Sequence, residues 1–321
     1  MKQVLSVAQF VLALCANPFA RAQSGGTPAM PGPMRDITSL QLSQHLAPSW
    51  NLAPSREAIG SEAAWDHRTV TKALLDTIKA AAFNSVRIPL SWTRYADAND
   101  HLRADRMARA TEVVNQARNA GLHVIIDIHS DSAWMQPTYA RQAAANARIG
   151  KLWTQIAHHF RTYDDHLLFA AHHEVMGAGD HHAPTFESCT VQNSFNQTFV
   201  NAVRATGGNN AVRHLVVQGY NGHIDHTCDF LAVPTDTVAG RLMVEVHCDG
   251  PARASGGHVT AQFNRMRQRF IDGLGVPVLV GELPAAGRLS VDGVRTYRTP
   301  WDPYIASAAR AHGVVPTYSA K

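Results

Sequence analysis

The sequence predicts a single eight-stranded parallel α/β barrel, and three observations carry that reading. From residue 49 onward, short apolar runs of strand length alternate with longer stretches of helical period, the pattern of repeated βα units. Two of those runs end on a glutamate: LLFAAHHEV at 167–175 delivers Glu174, and VPVLVGE at 276–282 delivers Glu282. Working groups of such a barrel sit where its strands run out into loops, so a buried strand stopping at a carboxylate fits the fold. The 321 residues, 45% hydrophobic and 17% charged, suit one folded domain of that size.

The elements follow in order. Residues 49–52 form the first strand, 69–82 a helix with Val70, Leu74, Leu75 and Ile78 at helical spacing, and 85–89 the second strand, carrying Arg87. A helix over 104–120 ends at Gly121, strand three covers 124–129, a helix spans 144–160, and strand four covers 167–171. Residues 193–205 are helical and 214–218, 242–247 and 276–282 are strands five to seven. Helices fit at 260–271 and 302–311, with 314–318 as strand eight. No segment remains for the helix that normally covers that strand, so the (β/α)8 TIM barrel is expected to lack its final covering helix.

The first 22 residues read as a secretory signal peptide: Lys2, an apolar run over 4–16, and the small-x-small triplet Ala20, Arg21, Ala22 before Gln23. Cleavage after Ala22 would leave a soluble protein outside the cytoplasm, extracellular or periplasmic. A membrane anchor needs a longer unbroken apolar span. Residues 23–33, rich in Gly, Pro and Ser, form a flexible tether, and 34–321 the barrel. The net charge of +4 comes from scattered Arg and Lys with no basic run among aromatics, so nucleic acid is not an expected partner. A monomer is expected. Cys15 leaves with the signal peptide, and a disulfide between Cys189 and Cys228 is expected, with Cys248 outside it. Without a bridge these thiols are small buried apolar groups.

SWNL at 49–52, FNSVRIPLSW at 83–92, GLHVIIDIH at 121–129, HEV at 173–175, VEVH at 244–247 and VLVGE at 278–282 follow one another in order. Together, over residues 34–318, they resemble glycoside hydrolase family five, the secreted cellulase-type barrels. The resemblance implies that Glu174 is the general acid/base and Glu282 the nucleophile of a retaining endo-β-1,4-glucanase. Chemistry of that kind needs two carboxyl groups about 5–5.5 Å apart, one protonated and one ionised. Glu174 is therefore expected to have a raised pKa, through burial and the charge of Glu282, while Arg87 keeps Glu282 ionised. His129 and His247 match positions lining the substrate subsite beside the cleaved bond. Trp50, Trp65, Trp92 and above all Trp134 are candidate sugar platforms, and Tyr318 lies where the family ends strand eight on tryptophan.

Four departures fall at the chemistry. His173 replaces the family's Asn before the acid/base, Ser130 replaces the second histidine after strand three, Asp249 stands where a tyrosine supports the nucleophile, and the strand-eight tryptophan is absent. These substitutions predict reduced turnover on a β-glucan polysaccharide. Alternatives are a hydrolase of another β-glycan, such as mannan or xylan, and a non-catalytic glycan-binding barrel. No cofactor is expected, and no metal: the sequence holds 18 histidines, but HHE at 172–174 lacks the i, i+4 spacing of HExxH.

Overall fold

Side chains alternate across a strand with a period of two, and here that alternation sorts the apolar residues into two separate cores. Val86, Ile88, Val124, Ile126, Leu167, Phe169, Leu215, Val217, Val244, Val246, Val278 and Val280 pack outward against helices in the larger cluster. Ile125, Leu168, Ala170, Val216, Met243, Leu279 and Val315 pack on one another in the smaller cluster, inside the barrel. The computed structural model describes residues 32–52, 70–129, 133–177, 184–248, 256–283 and 301–319.

Eight strands, β1 (Ser49–Asn51), β2 (Ser85–Ile88), β3 (His123–Asp127), β4 (Leu167–Ala170), β5 (Leu215–His223), β6 (Leu242–His247), β7 (Val278–Glu282) and β8 (Val315–Ser319), pair in parallel. β8 closes the barrel on β1 through Trp50 opposite Tyr318. Between them run α2 (Lys72–Ala80), α3 (Ala104–Asn119), α4 (Tyr139–His159), α5 (Phe186–Ala205), α6 (Ile224–Phe230), α7 (Gly256–Met266) and α8 (Trp301–Ala311). Register slips between Gln218 and His223 and between Val246 and His247, so both irregularities fall where β5 and β6 reach the mouth.

An eighth helix, α1 (Ser39–Leu46), lies ahead of β1 and is absent from the sequence expectation, although its start is a full capping box from Thr38 and Gln41. Leu42 and Leu46 are fully buried and join the inner cluster, so α1 closes the end of the barrel opposite the strands' carboxyl ends. Ser39 and buried His214 share a hydrogen bond of 2.9 Å that pins it there. Further elements differ from expectation, among them α4, which starts at Tyr139 rather than 144. α5 starts at Phe186 rather than 193, with Thr185 and Ser188 forming its capping box, β5 extends to His223, and α7 continues as a wider turn over Arg267–Asp272. α8, which precedes β8, packs against it, and β8 is the last element among the described residues.

The expected disulfide is corrected. Cys189 and Cys228 are both free, buried thiols. Cys189 sits in the first turn of α5, whereas Cys228 belongs to α6, a helix the sequence reading treated as loop, and its sulfur is spent on the outer apolar core. Burial pushes the Cys228 thiol up to about 11, so it behaves as an apolar group.

Leu46→Ala, at the barrel floor, should lower stability by about 2–5 kcal/mol in urea denaturation. A loss below about 1 kcal/mol would show that α1 does not hold the inner core.

Candidate active site

Above the inner apolar cluster lies a charged layer built around Arg87. Its guanidinium is completely buried, and such a charge is tolerated only where anions surround it. Nη2 reaches Asp127 Oδ2 at 2.8 Å and Glu245 Oε1 at 3.0 Å, while Nη1 reaches Glu282 Oε1 at 3.3 Å and Asn51 Oδ1 at 3.5 Å. One side chain on β2 thereby ties together β1, β3, β6 and β7. Although burial opposes its charge, Glu245, Asp127 and Glu282 more than offset this and raise the Arg87 pKa. In turn Arg87 leads the groups that, against burial, hold Asp127 and Glu245 ionised.

Two of these acids each orient a histidine two residues further on, the spacing that returns a strand to the same face. Asp127 Oδ2 accepts from His129 Nδ1 at 3.0 Å, and Glu245 Oε1 accepts from His247 Nε2 at 2.9 Å. His173 lies between the two rings, its centroid 3.8 Å from that of His129 and 5.0 Å from that of His247. Gly281 is needed beside this network, since a Cβ there would stand 2.4 Å from Glu245 Oε1.

Glu174 and Glu282 rise from this layer, their side chains 31% exposed and so accessible to a ligand. His173 Nε2 lies 3.1 Å from Glu282 Oε1 and 3.9 Å from Glu174 Oε1, and His247 Nδ1 donates to Glu174 Oε1 at 2.7 Å. One donor atom from each of His173, Glu174, His247 and Glu282 falls within 4.8 Å of every other. Glu174 takes a left-handed backbone, φ 44°, a conformation costing roughly 1–3 kcal/mol for a non-glycine residue. Its N–H donates to Gln218 Oε1 at 2.7 Å, and Gln218 Nε2 donates to Glu245 Oε1 at 3.3 Å, which ties that strained turn to the buried layer.

The electrostatics correct one expectation. Burial does push the Glu174 carboxyl up, but the hydrogen bond from His247 and the His173 and His247 rings outweigh it and hold the group at about 2. Burial likewise disfavours His247⁺, yet bonds to Glu174 and Glu245 raise its pKa to about 10. The two shifts together favour an ionised Glu174 beside a protonated His247. Glu282 is held well below the usual range, burial being overcome by His173, His247 and Arg87. Burial and then the neighbouring His173 lower His129, leaving it neutral.

The structure thus brings Glu174, Glu282, Arg87, His129, His173 and His247 together. The expected aromatic platforms do not join them. Trp92 is fully buried and donates to the Asp127 carbonyl at 2.9 Å, and Trp50 packs edge-on to Phe83. Trp134 packs on the outer core with Arg148 of α4 across its ring at 4.7 Å, which covers one face of the proposed platform. Tyr318 points away from the mouth, because Val315 and Thr317 take the inward positions of β8; its hydroxyl accepts from Arg310 of α8 at 2.9 Å. Trp65, Ser130 and Asp249 lie outside the described residues. Sequence reasoning missed Asp127, Glu245 and Gln218, although the paired acid-x-His patterns DIH and EVH at two strand ends were signal enough.

Residues 51–319 match the sequence profile described as Cellulase (glycosyl hydrolase family 5). The chain belongs to glycosyl hydrolase family 5. It is 31% identical over 308 residues to endoglucanase B of Clostridium cellulovorans, covering 89% of this chain and 68% of that protein. It is 40% identical over 231 residues to a xyloglucan-specific endo-beta-1,4-glucanase of Bacteroides ovatus, covering 68% of this chain and 46% of the relative. Among solved structures, the Bacteroides ovatus GH5 xyloglucanase in complex with a XXXG heptasaccharide superposes with a TM-score of 0.83 at 32% identity, covering 91% of this chain and 72% of that one. A GH5-4 broad specificity endoglucanase from Ruminococcus champanellensis with bound cellotriose gives 0.81 at 31% identity, covering 89% and 90%. This family 5 barrel is a glycoside hydrolase of the endo-β-glucan type.

The paired shifts fix how the family 5 barrel's stability varies with pH. His247 is raised from 6.5 to about 10, so its contribution is complete below pH 6.5 and is lost as pH rises through 10. His172 and His214, pushed by burial to about 4 and about 3, must be charged on unfolding in acid, so they withdraw stability as pH falls below 6.5. Thermal unfolding followed by circular dichroism should therefore show a maximum near pH 6.5. His247→Asn should flatten the alkaline limb; an unchanged limb would show that His247 is not held charged.

Proposed function

We propose that the protein is a secreted retaining endo-β-1,4-glucanase of low turnover, with Glu174 as general acid/base and Glu282 as nucleophile. The observation that carries this reading is the pair of carboxylates just past β4 and at the end of β7, one oxygen of each within 4.8 Å of the other. An oxygen pair that close favours the roughly 5–5.5 Å carboxyl spacing of retaining enzymes over the roughly 6.5–9.5 Å of inverting ones. The Bacteroides ovatus relative, a xyloglucan-specific endo-beta-1,4-glucanase, favours a β-1,4-linked glucan backbone as the substrate class. The 22-residue leader read from the sequence supports export, which a mature amino terminus at Gln23 would check.

In the first half-reaction Glu282 forms a bond to the anomeric carbon as the glycosidic C–O bond breaks, and Glu174 supplies the proton to the departing sugar oxygen. In the second, Glu174 takes a proton from water, whose oxygen displaces Glu282 and restores the original configuration. Glu282 is well prepared, ionised and aligned by Arg87 and His173. Glu174 is not. In the resting site the proton is favoured on His247 at 2.7 Å, and moving it to the carboxylate runs uphill because the His247 bond and the neighbouring His173 and His247 rings favour the ionised form. That uphill transfer, and His173 in place of an amide that would bond the sugar 2-hydroxyl, account for low turnover.

Purified protein should release reducing sugar from soluble β-1,4-glucan, and Glu174→Ala and Glu282→Ala should each reduce the rate at least about 100-fold. Proton NMR of the first product should show the β-anomer, and an α-anomer formed first would overturn retention. A folded parent that binds glucan with no rate to lose would instead establish a glycan-binding barrel. His173→Asn should raise kcat about tenfold, equivalent to about 1.4 kcal/mol of barrier; an unchanged or lower kcat would remove His173 as the cause of slow turnover.

A further inference from the structure

Sequence spacing argues against a metal because HHE at 172–174 lacks the i, i+4 spacing of HExxH, but a barrel mouth assembles ligands from different strands. Four donor atoms converge here: His173 Nε2, Glu174 Oε1, His247 Nδ1 and Glu282 Oε1. Three of their separations are 3.1 Å (His173 to Glu282), 3.9 Å (His173 to Glu174) and 2.7 Å (Glu174 to His247), and one ligand atom from each of the four residues lies within 4.8 Å of every other. A tetrahedral zinc ion with N and O ligands about 2.0–2.2 Å away holds them about 3.3–3.6 Å apart, so side-chain shifts of less than about 1 Å would accommodate one.

We propose that these four residues form a binding site for a zinc-type divalent cation, and that its occupation blocks hydrolysis. Two further observations support the site. His247 turns its other nitrogen to the buried carboxylate of Glu245 at 2.9 Å, the arrangement that orients metal-ligating histidines and raises their basicity. The local charge also suits a cation: Asp127, Glu174, Glu245 and Glu282 place four carboxylates around the single guanidinium of Arg87, and the proton that His247 shares with Glu174 and Glu245 leaves as an ion binds. A divalent ion offsets two of those carboxylate charges. Two imidazoles and two carboxylates form a mixed set suited to zinc rather than to magnesium or calcium, which favour all-oxygen shells. Replacement of the family's Asn by His173 supplies the nitrogen that completes it, and the His129 ring lies against it, tilted by 35° with centroids 3.8 Å apart.

Binding is independent of the hydrolase reading, whereas the inhibition rests on it, so the two are measured separately. Titrating the metal-free full chain with zinc chloride in a calorimeter should give one ion per chain, and cobalt in its place should give the strong visible absorption of a four-coordinate ion. Glucan hydrolysis should fall along the zinc binding curve, return on addition of EDTA and be unaffected by magnesium. His173→Asn should weaken zinc binding more than about 100-fold, and Glu245→Gln about 10–100-fold, the usual effect of losing a partner that supports a ligand. His101→Ala, an exposed histidine paired with Asp97, should leave both binding and inhibition unchanged. An active enzyme that binds no zinc, or one whose zinc binding survives His173→Asn, overturns the metal site and leaves the hydrolase reading standing. Stoichiometric zinc on a chain that cleaves no glucan has the opposite meaning.

Discussion

A positive charge sealed inside the barrel is the constraint around which the mouth is arranged. Arg87 cannot lose its proton or reach water, so the strands around it must supply anions, and they do so from three directions. Asp127 and Glu245 meet most of that requirement at the shortest distances, and Glu282 meets the rest while keeping its other face open. The same acids then orient His129 and His247, so the requirement to balance one buried guanidinium propagates outward to the groups that face the ligand.

That propagation explains why this site differs from a simple two-carboxylate pair. Glu245 and Glu174 grip His247 from both ring nitrogens, and the imidazole holds a proton at pH values where histidine is ordinarily neutral. The resulting cation stabilises two ionised neighbours, which strengthens the nucleophile and weakens the acid. His173 adds to both effects, since its Nε2 stands between the two glutamates. A site can thus keep every essential carboxylate and still be poorly poised for proton delivery.

Most of the fold was legible from the chain because the period-two alternation of apolar residues marks both the strands and their two faces. All eight strands overlap the apolar runs that predicted them, β5 running on to His223, and β6 coincides with its expected range of 242–247. What escaped notice was short or lacked apolar periodicity: α1 has only eight residues, and α6 seven. At the site, Glu174 and Glu282 were visible as strand-terminal acids. Their pKa directions were not, because the partners that set them come from strands far apart in sequence; Glu174 and His247 are 73 residues apart. Burial and the nearby charge of Glu282 suggested a protonated Glu174, and a hydrogen bond the sequence cannot display reversed it. The aromatic residues failed for a related reason. Trp92 and Tyr318 satisfy packing needs on the outer face of the wall, where composition gives no indication of which side of a strand a ring will take.

The helix that closes the floor has a consequence for how this barrel can change over evolutionary time. Because Leu42 and Leu46 seal the inner apolar cluster at one end while the polar layer occupies the other, cohesion and recognition are drawn from separate strata of the same cylinder. Drift in the segments around the opening can alter which polymer is admitted while leaving the foundation untouched. The replacements seen at positions such as His173 are the kind of experiment that such a division makes survivable.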